Sequence, residues 1–207
     1  NIVKNLKFVS KKMRVKSDKL ILMYQTHSNK VLEIRKKNLK KIIYSDAIVT
    51  KINDIALGVV TADCVPILIY DYKNKVVGCI HAGWKGAFTD IIKNTVNKIR
   101  KLNSNQKIYA CIGPCIGKDS YEVDLKFYKK FIIKSKKNKK YFLNKNEKKK
   151  LFNLREFVAD KLTDLNVDVD HINLDTFKEK NYFFSYRRSL VQKQKDYGRG
   201  ISAIRLL

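Results

Sequence analysis

The chain of 207 residues carries 45 Lys and Arg against 19 Asp and Glu, a formal net charge of +26, with 44% hydrophobic and 11% aromatic residues. Apolar runs recur along nearly its whole length with no break in composition, which excludes a disordered chain and suits a single domain over residues 1–207. No apolar stretch approaches the ~20 residues of a membrane-spanning helix. The charge does not by itself point to nucleic acid, because only eight of the basic residues are Arg, the lysines are scattered and no binding motif accompanies them.

Lys19 to Tyr24 and Val31 to Ile34 read as strands flanking a polar, turn-forming interval that contains Gln25 and His27. Four β-branched-rich strands are expected next, at Asp46 to Thr50, Ile55 to Val60, Pro66 to Tyr70 and Lys75 to Ile80. The break from Thr61 to Cys64 sets a carboxylate, Asp63, and a thiol between two of the most apolar strands. The last of the four closes on His81, followed by Gly83 and Trp84.

From Phe88 the period changes to that of a helix carrying Ile91, Ile92, Val96, Ile99 and Leu102, with Thr89 as its cap. A buried strand follows at Lys107 to Ile112, then an irregular loop forced by Gly113, Pro114 and Gly117. Extended chain restarts at Tyr121. Helices are expected over Leu125 to Ile133 and over Leu154 to Leu165, the second with capping-box spacing at Asn153 and Glu156. The Lys-rich runs at Lys134 to Lys140 and Lys145 to Lys150 read as solvated loop. A strand around His171 to Leu174, a loop at Phe183 to Arg188 and a strand at Ile201 to Leu206 complete an α+β domain of mixed β-sheet packed by helices.

The four cysteines, with nothing that indicates secretion, are expected to be reduced in a cytoplasmic protein, Cys79 and Cys111 as small core residues. Only three histidines exist. His27 and His81 close strands, and with Cys64 they offer two imidazoles and a thiolate, a set that suits tetrahedral zinc with an open fourth position. Spacing alone leaves this open, since the three lie in no local metal motif. The same Cys64 and His81 could instead serve as nucleophile and base of a hydrolase, and zinc in a basic binding domain could be purely structural.

The strings QTHS at Gln25 to Ser28, SDAIVT at Ser45 to Thr50, TADCVPILIYD at Thr61 to Asp71, HAGWKG at His81 to Gly86, IGPCIG at Ile112 to Gly117, FFSYRR at Phe183 to Arg188 and GR at Gly198 and Arg199 stand in one order. In that order they resemble the YfiH-type family, also called the laccase-domain or multicopper polyphenol oxidoreductase family. The resemblance implies that His27, Cys64 and His81 bind zinc. It implies a YfiH-like fold and purine nucleoside chemistry: phosphorolysis of adenosine, inosine or methylthioadenosine, and deamination of adenosine, with nucleoside and phosphate as the partners. A role in editing peptidoglycan precursors has also been assigned to the family. Zinc is expected in preference to copper, because three histidines cannot fill a copper cluster and a separate blue-copper site.

For such chemistry, Asp63 is the nearest carboxyl to act as proton donor beside Cys64 and His81. Gln25 belongs to the first motif, Trp84 is placed to stack on a purine, and Arg187, Arg188 and Arg199 are candidates for an anion. Two departures stand out. Lys85 follows Trp84 where the family usually has Arg, removing the planar donor fork that a bidentate anion contact needs. Asp175 precedes Thr176 where the family often has Cys. The family's N-terminal strand and Gly-rich segment are expected to be absent before Asn1.

Overall fold

The computed structural model describes residues 2–39, 41–102 and 107–207. Helix α1 (Ile2–Lys12), at a segment where no element was expected, precedes strands β1 (Leu20–Leu22), β2 (Val31–Ile34), β3 (Ala47–Thr50), β4 (Ala56–Thr61), β5 (Val65–Asp71) and β6 (Val76–Ala82). Helices α2 (Trp84–Phe88) and α3 (Ile91–Leu102), then β7 (Ile108–Ile112) and β8 (Glu122–Asp124), follow. The rest comprises α4 (Leu125–Lys134), β9 (Phe142–Asn144), β10 (Lys149–Phe152), α5 (Leu154–Thr163), β11 (Val167–His171), α6 (Tyr186–Val191) and β12 (Gly200–Arg205).

Six strands form a mixed sheet in the order β11-β7-β5-β6-β3-β2, and β1-β4-β12 form a smaller one. The runs in β5 and β6 are apolar at nearly every position because both faces of these strands are covered. Val65, Ile67, Ile69, Val76, Ile80 and Ala82 pack into a core with α3 and α5. The intervening Val77 and Cys79 join Ile21, Leu57 and Val59 of the small sheet in a second core. Helices, large sheet and small sheet thus make three layers. Ile67, Ile69 and Ile80 are fully buried, each contributing roughly 1.5–3 kcal/mol of apolar transfer.

The Lys-rich region departs from expectation. Phe142 and Phe152 are cross-strand partners in a third sheet, β8-β10-β9, and their rings stack with centroids 4.7 Å apart. Each of β9 and β10 buries one residue, so these aromatics join Phe127, Phe131 and Phe157 while Lys149 stays exposed. The helix expected from Phe88 is α3, which begins only at Ile91, and a separate short helix, α2, precedes it. Asp90, at φ 71°, breaks the chain between α2 and α3, and the Thr89 hydroxyl donates backwards to the Lys85 carbonyl rather than capping forwards.

The expected strand at His171 to Leu174 instead ends at His171. It pairs parallel to β7 from Val167 and leaves His171 exposed on the sheet's edge strand. Cys111, expected in the core, is half-buried, because β7 buries only the side bearing Ile108, Ala110 and Ile112. The loop at Phe183 to Arg188 gives way to α6 at Tyr186, where Ser185 Oγ caps the helix by accepting from the Arg188 amide. Asn153 caps α5 as its spacing predicts, accepting from Glu156 N at 3.1 Å. Among the described residues no helix is long and apolar enough to cross a membrane.

Candidate metal centre

Two of the connections by which the chain passes from the small sheet to the large one lie near one another, and each delivers a site residue. The β1–β2 connection carries His27, the β4–β5 connection carries Cys64, and His81 lies near the end of β6. One donor atom from each of His27, Cys64 and His81 falls within 4.8 Å of the others. Cys64 Sγ lies 3.8 Å from His27 Nε2, and the two imidazoles meet edge-on with centroids 4.6 Å apart.

Asp46, immediately before β3, organises this convergence. Its carboxylate is wholly buried and accepts from the successive backbone amides of Thr26, His27 and Ser28 at 3.2, 2.9 and 2.6 Å, and from Ser28 Oγ at 2.6 Å. Three amides in a row can converge on one anion because His27 adopts the left-handed conformation, φ 57°. The same carboxylate accepts from His81 Nδ1 at 2.8 Å, which fixes the tautomer and leaves Nε2 as the free donor atom. Sequence reasoning gave Asp46 no role. The available signal was a carboxylate heading a strand whose four residues are all buried.

A second carboxylate fastens the other connection. Asp63, at φ 82°, holds Cys64 at the start of β5. It accepts from Thr176 Oγ1 at 2.7 Å through one oxygen, and from Ser185 Oγ at 3.0 Å and Arg187 N at 2.6 Å through the other. Expected as a proton donor, Asp63 thus lies at the centre with its oxygens already engaged as acceptors. Asp175 accepts from Ser120 Oγ at 2.6 Å and so organises the loop after β7, while Thr176 holds Asp63.

The electrostatics follow from enclosure. Burial works against charge on Asp46, but hydrogen bonds from His81 and Ser28 outweigh it and hold the carboxyl well below the usual carboxylate range. Burial lowers His27, with His81 adding to the effect, so its imidazole favours the neutral, ligand-competent form. Burial, with the Asp63 charge second, pushes the Cys64 thiol up to about 12. Gly83 leaves room for the group: a Cβ there would lie 2.9 Å from Cys64 Sγ and 3.0 Å from His27 Cδ2.

The donor set fits zinc. Two imidazole nitrogens and one sulfur are its ordinary ligands, and bonds of about 2.0 to 2.3 Å at tetrahedral angles set neighbouring donors roughly 3.5 Å apart. The observed 3.8 Å between Cys64 and His27 is close to that spacing.

Two cavities flank the cluster. One, of about 240 Å³, is lined by Asp63, Trp84, Tyr121, Tyr186 and Arg187 beside His27 and Cys64. The other, of about 410 Å³, is lined by Gln25, Thr61, His81, Tyr197 and Arg199 beside the same two ligands. Of the expected substrate residues, Gln25 has its amide paired with both backbone groups of Val60, at 2.8 and 3.0 Å. Arg188 gives its guanidinium to the carbonyls of Thr176, Phe177 and Phe183. Arg187 spends one donor on the Glu122 carbonyl and lies over the Tyr121 ring, and Arg199 stands exposed over Tyr197. Trp84 packs against Phe127 at 5.0 Å, carries the Lys130 ammonium over its ring and lines the smaller cavity.

A family model described as multi-copper polyphenol oxidoreductase laccase matches residues 1–207. The chain belongs to this laccase family. A purine nucleoside phosphorylase of Rickettsia prowazekii is 36% identical over 176 residues, covering 84% of this chain and 72% of its own length. Another, of Rickettsia conorii, is 34% identical over 202 residues, covering 97% and 82%. Among solved structures, the hypothetical protein YfiH of Bacillus licheniformis superposes with a TM-score of 0.90 at 28% identity, covering 100% of this chain and 81% of that one. The three-layered α+β architecture is therefore that of the laccase family, and its relatives here carry the name of a phosphorylase rather than of an oxidase.

Proposed function

We propose that this chain is a zinc-dependent purine nucleoside phosphorylase acting on adenosine, inosine or methylthioadenosine in the cytoplasm, with adenosine deamination at the same centre. The observation that carries the reading is the convergence of His27, Cys64 and His81 within 4.8 Å, beside two cavities, in a chain 36% identical to a purine nucleoside phosphorylase. Zinc, when bound, supplies a Lewis acid that polarises an oxygen and orients a reactant. Asp46 keeps the His81 ring aimed at the centre, Asp63 keeps Cys64 in place, and Trp84, Tyr121 and Tyr186 give the smaller cavity an aromatic wall for a purine. Arg199, exposed at the edge of the larger cavity, supplies positive charge for an anionic reactant, while Arg187 lines the smaller cavity.

The test is incubation of zinc-loaded protein with inosine or adenosine and inorganic phosphate. Hypoxanthine or adenine with ribose 1-phosphate is expected; no phosphate-dependent release of base would falsify phosphorolysis. Conversion of adenosine to inosine without phosphate reports the deaminase activity separately.

The Asp46–His81 contact also favours a second reading, a cysteine-dependent hydrolase, since it would orient His81 toward Cys64 as a base. The two readings exclude one another at Cys64, because a thiolate held by zinc is not free to attack a substrate. Stoichiometric alkylation of Cys64 in zinc-replete protein would support the hydrolase.

A further inference from the structure

The two cavities differ in what their walls can hold. The smaller presents Trp84, Tyr121 and Tyr186, and its wall also carries the Asp63 carboxylate. At about 240 Å³ it falls below the ~300 Å³ at which small-molecule pockets usually begin, so it suits a single planar ring system better than a whole nucleoside. An aromatic slot whose wall carries both the engaged Asp63 carboxylate and the engaged Arg187 guanidinium suits a neutral heterocycle.

The larger cavity, about 410 Å³, is polar. Among the described residues no Asp or Glu lines it, and Arg199 stands at its edge with a guanidinium that meets only the Tyr197 ring and, at 3.3 Å, its hydroxyl. Arg187, in the aromatic slot, is by contrast partly engaged, tied to the Glu122 carbonyl and laid over Tyr121. His27, Ala62 and Cys64 line both cavities and form the rim between them.

We propose that the metal cluster stands between two subsites, the Trp84–Tyr121 slot taking the purine base and the Arg199 cavity taking phosphate, with the ribose bridging the His27–Cys64 rim. The assignment rests on the phosphorylase reading above. Phosphorolysis brings the nucleophile and the leaving group to one anomeric carbon from different directions, and the two cavities meet at that shared rim. An oxygen of hydrogen phosphate forms the new bond to C1′ as the C1′–N9 bond breaks. Its electron pair leaves with the purine, and the proton of hydrogen phosphate ends on the base, giving free purine and ribose 1-phosphate.

Trp84 is the only tryptophan in the chain, so its fluorescence reports on the base subsite directly. Zinc-loaded protein is titrated with adenine while Trp84 emission is followed with excitation at the red edge, and separately with inorganic phosphate by calorimetry. Adenine is expected to quench Trp84 saturably, with an affinity changed less than about twofold in Arg199→Met. Phosphate affinity is expected to fall tenfold or more in Arg199→Met and less than about twofold in Arg187→Met, and KM for phosphate but not for inosine should rise in Arg199→Met. Both arginines are at least partly exposed, so circular dichroism should be unchanged.

Unaltered Trp84 emission with adenine, or phosphate binding lost in Arg187→Met and kept in Arg199→Met, overturns the assignment. Binding as assigned with no turnover of inosine supports the two subsites and overturns the phosphorylase reading alone. Turnover with the arginine effects exchanged does the reverse.

Discussion

Nδ1 of His81 donates to Oδ1 of Asp46 at 2.8 Å in a region where both side chains are buried, and that carboxylate also gathers the amides on either side of His27. One anion therefore sets the position of two of the three candidate ligands. Replacing it by an amide offers one acceptor oxygen where the carboxylate offers two, and turns a donor toward groups that also donate.

Asp46→Asn is accordingly expected to weaken zinc binding by about 10- to 100-fold, the usual effect of removing an outer partner of a metal-bound histidine. Competition against a chromophoric chelator measures it. An affinity within about threefold of the parent protein would refute the positioning role.

Gly83→Ala places a methyl group 2.9 Å from Cys64 Sγ and 3.0 Å from His27 Cδ2. Both neighbours are proposed ligands, so the methyl should displace them from the metal while leaving the sheets intact. The expected result is loss of zinc at equal protein concentration with an unchanged circular dichroism spectrum. Full metal occupancy would show that the centre tolerates the added carbon.

Asp63 receives two hydroxyls, from Thr176 and Ser185, that are themselves buried. Thr176→Val removes one donor from a carboxylate that has little water to replace it, at a cost of about 1–3 kcal/mol read from urea denaturation. If Asp63 fastens the Cys64 connection, the variant should also lower zinc affinity. A stability loss with unchanged affinity would separate the fastening of Asp63 from the metal centre.

Glu122 is held at about 2 by hydrogen bonds from Lys145 and Lys149, below its ordinary 4.5. Because the folded value is depressed, the contribution is present above pH 4.5 and lost as pH falls toward 2. The pair is near the surface, so the effect is small and salt-sensitive. The urea midpoint of Glu122→Gln should lie below that of the parent at neutral pH, and the gap should close between pH 4.5 and pH 2. A gap independent of pH would assign the difference to packing.

Much of the molecule is legible in its sequence. The β-branched runs that became β3 to β7 and the helical periods that became α3, α4 and α5 report burial, which is a local property of side-chain pattern. His27, Cys64 and His81 were legible as polar, metal-competent residues at strand ends in motifs of one order. The lysines in and around β9 and β10 hid these short strands, since each contributes one buried residue, Phe142 or Phe152, too few to show a period.

Sequence by itself marked His27, Cys64 and His81 as metal-competent side chains and determined which segments must be buried. It could not determine that Asp46 ties His81 to the loop of His27, that Asp63 is saturated by Thr176, Ser185 and Arg187, or that Arg187 and Arg199 face different cavities. Those relations join residues up to 124 positions apart. A buried carboxylate states only that it needs partners; which ones it finds depends on where two sheets are brought together, and that only the tertiary structure decided.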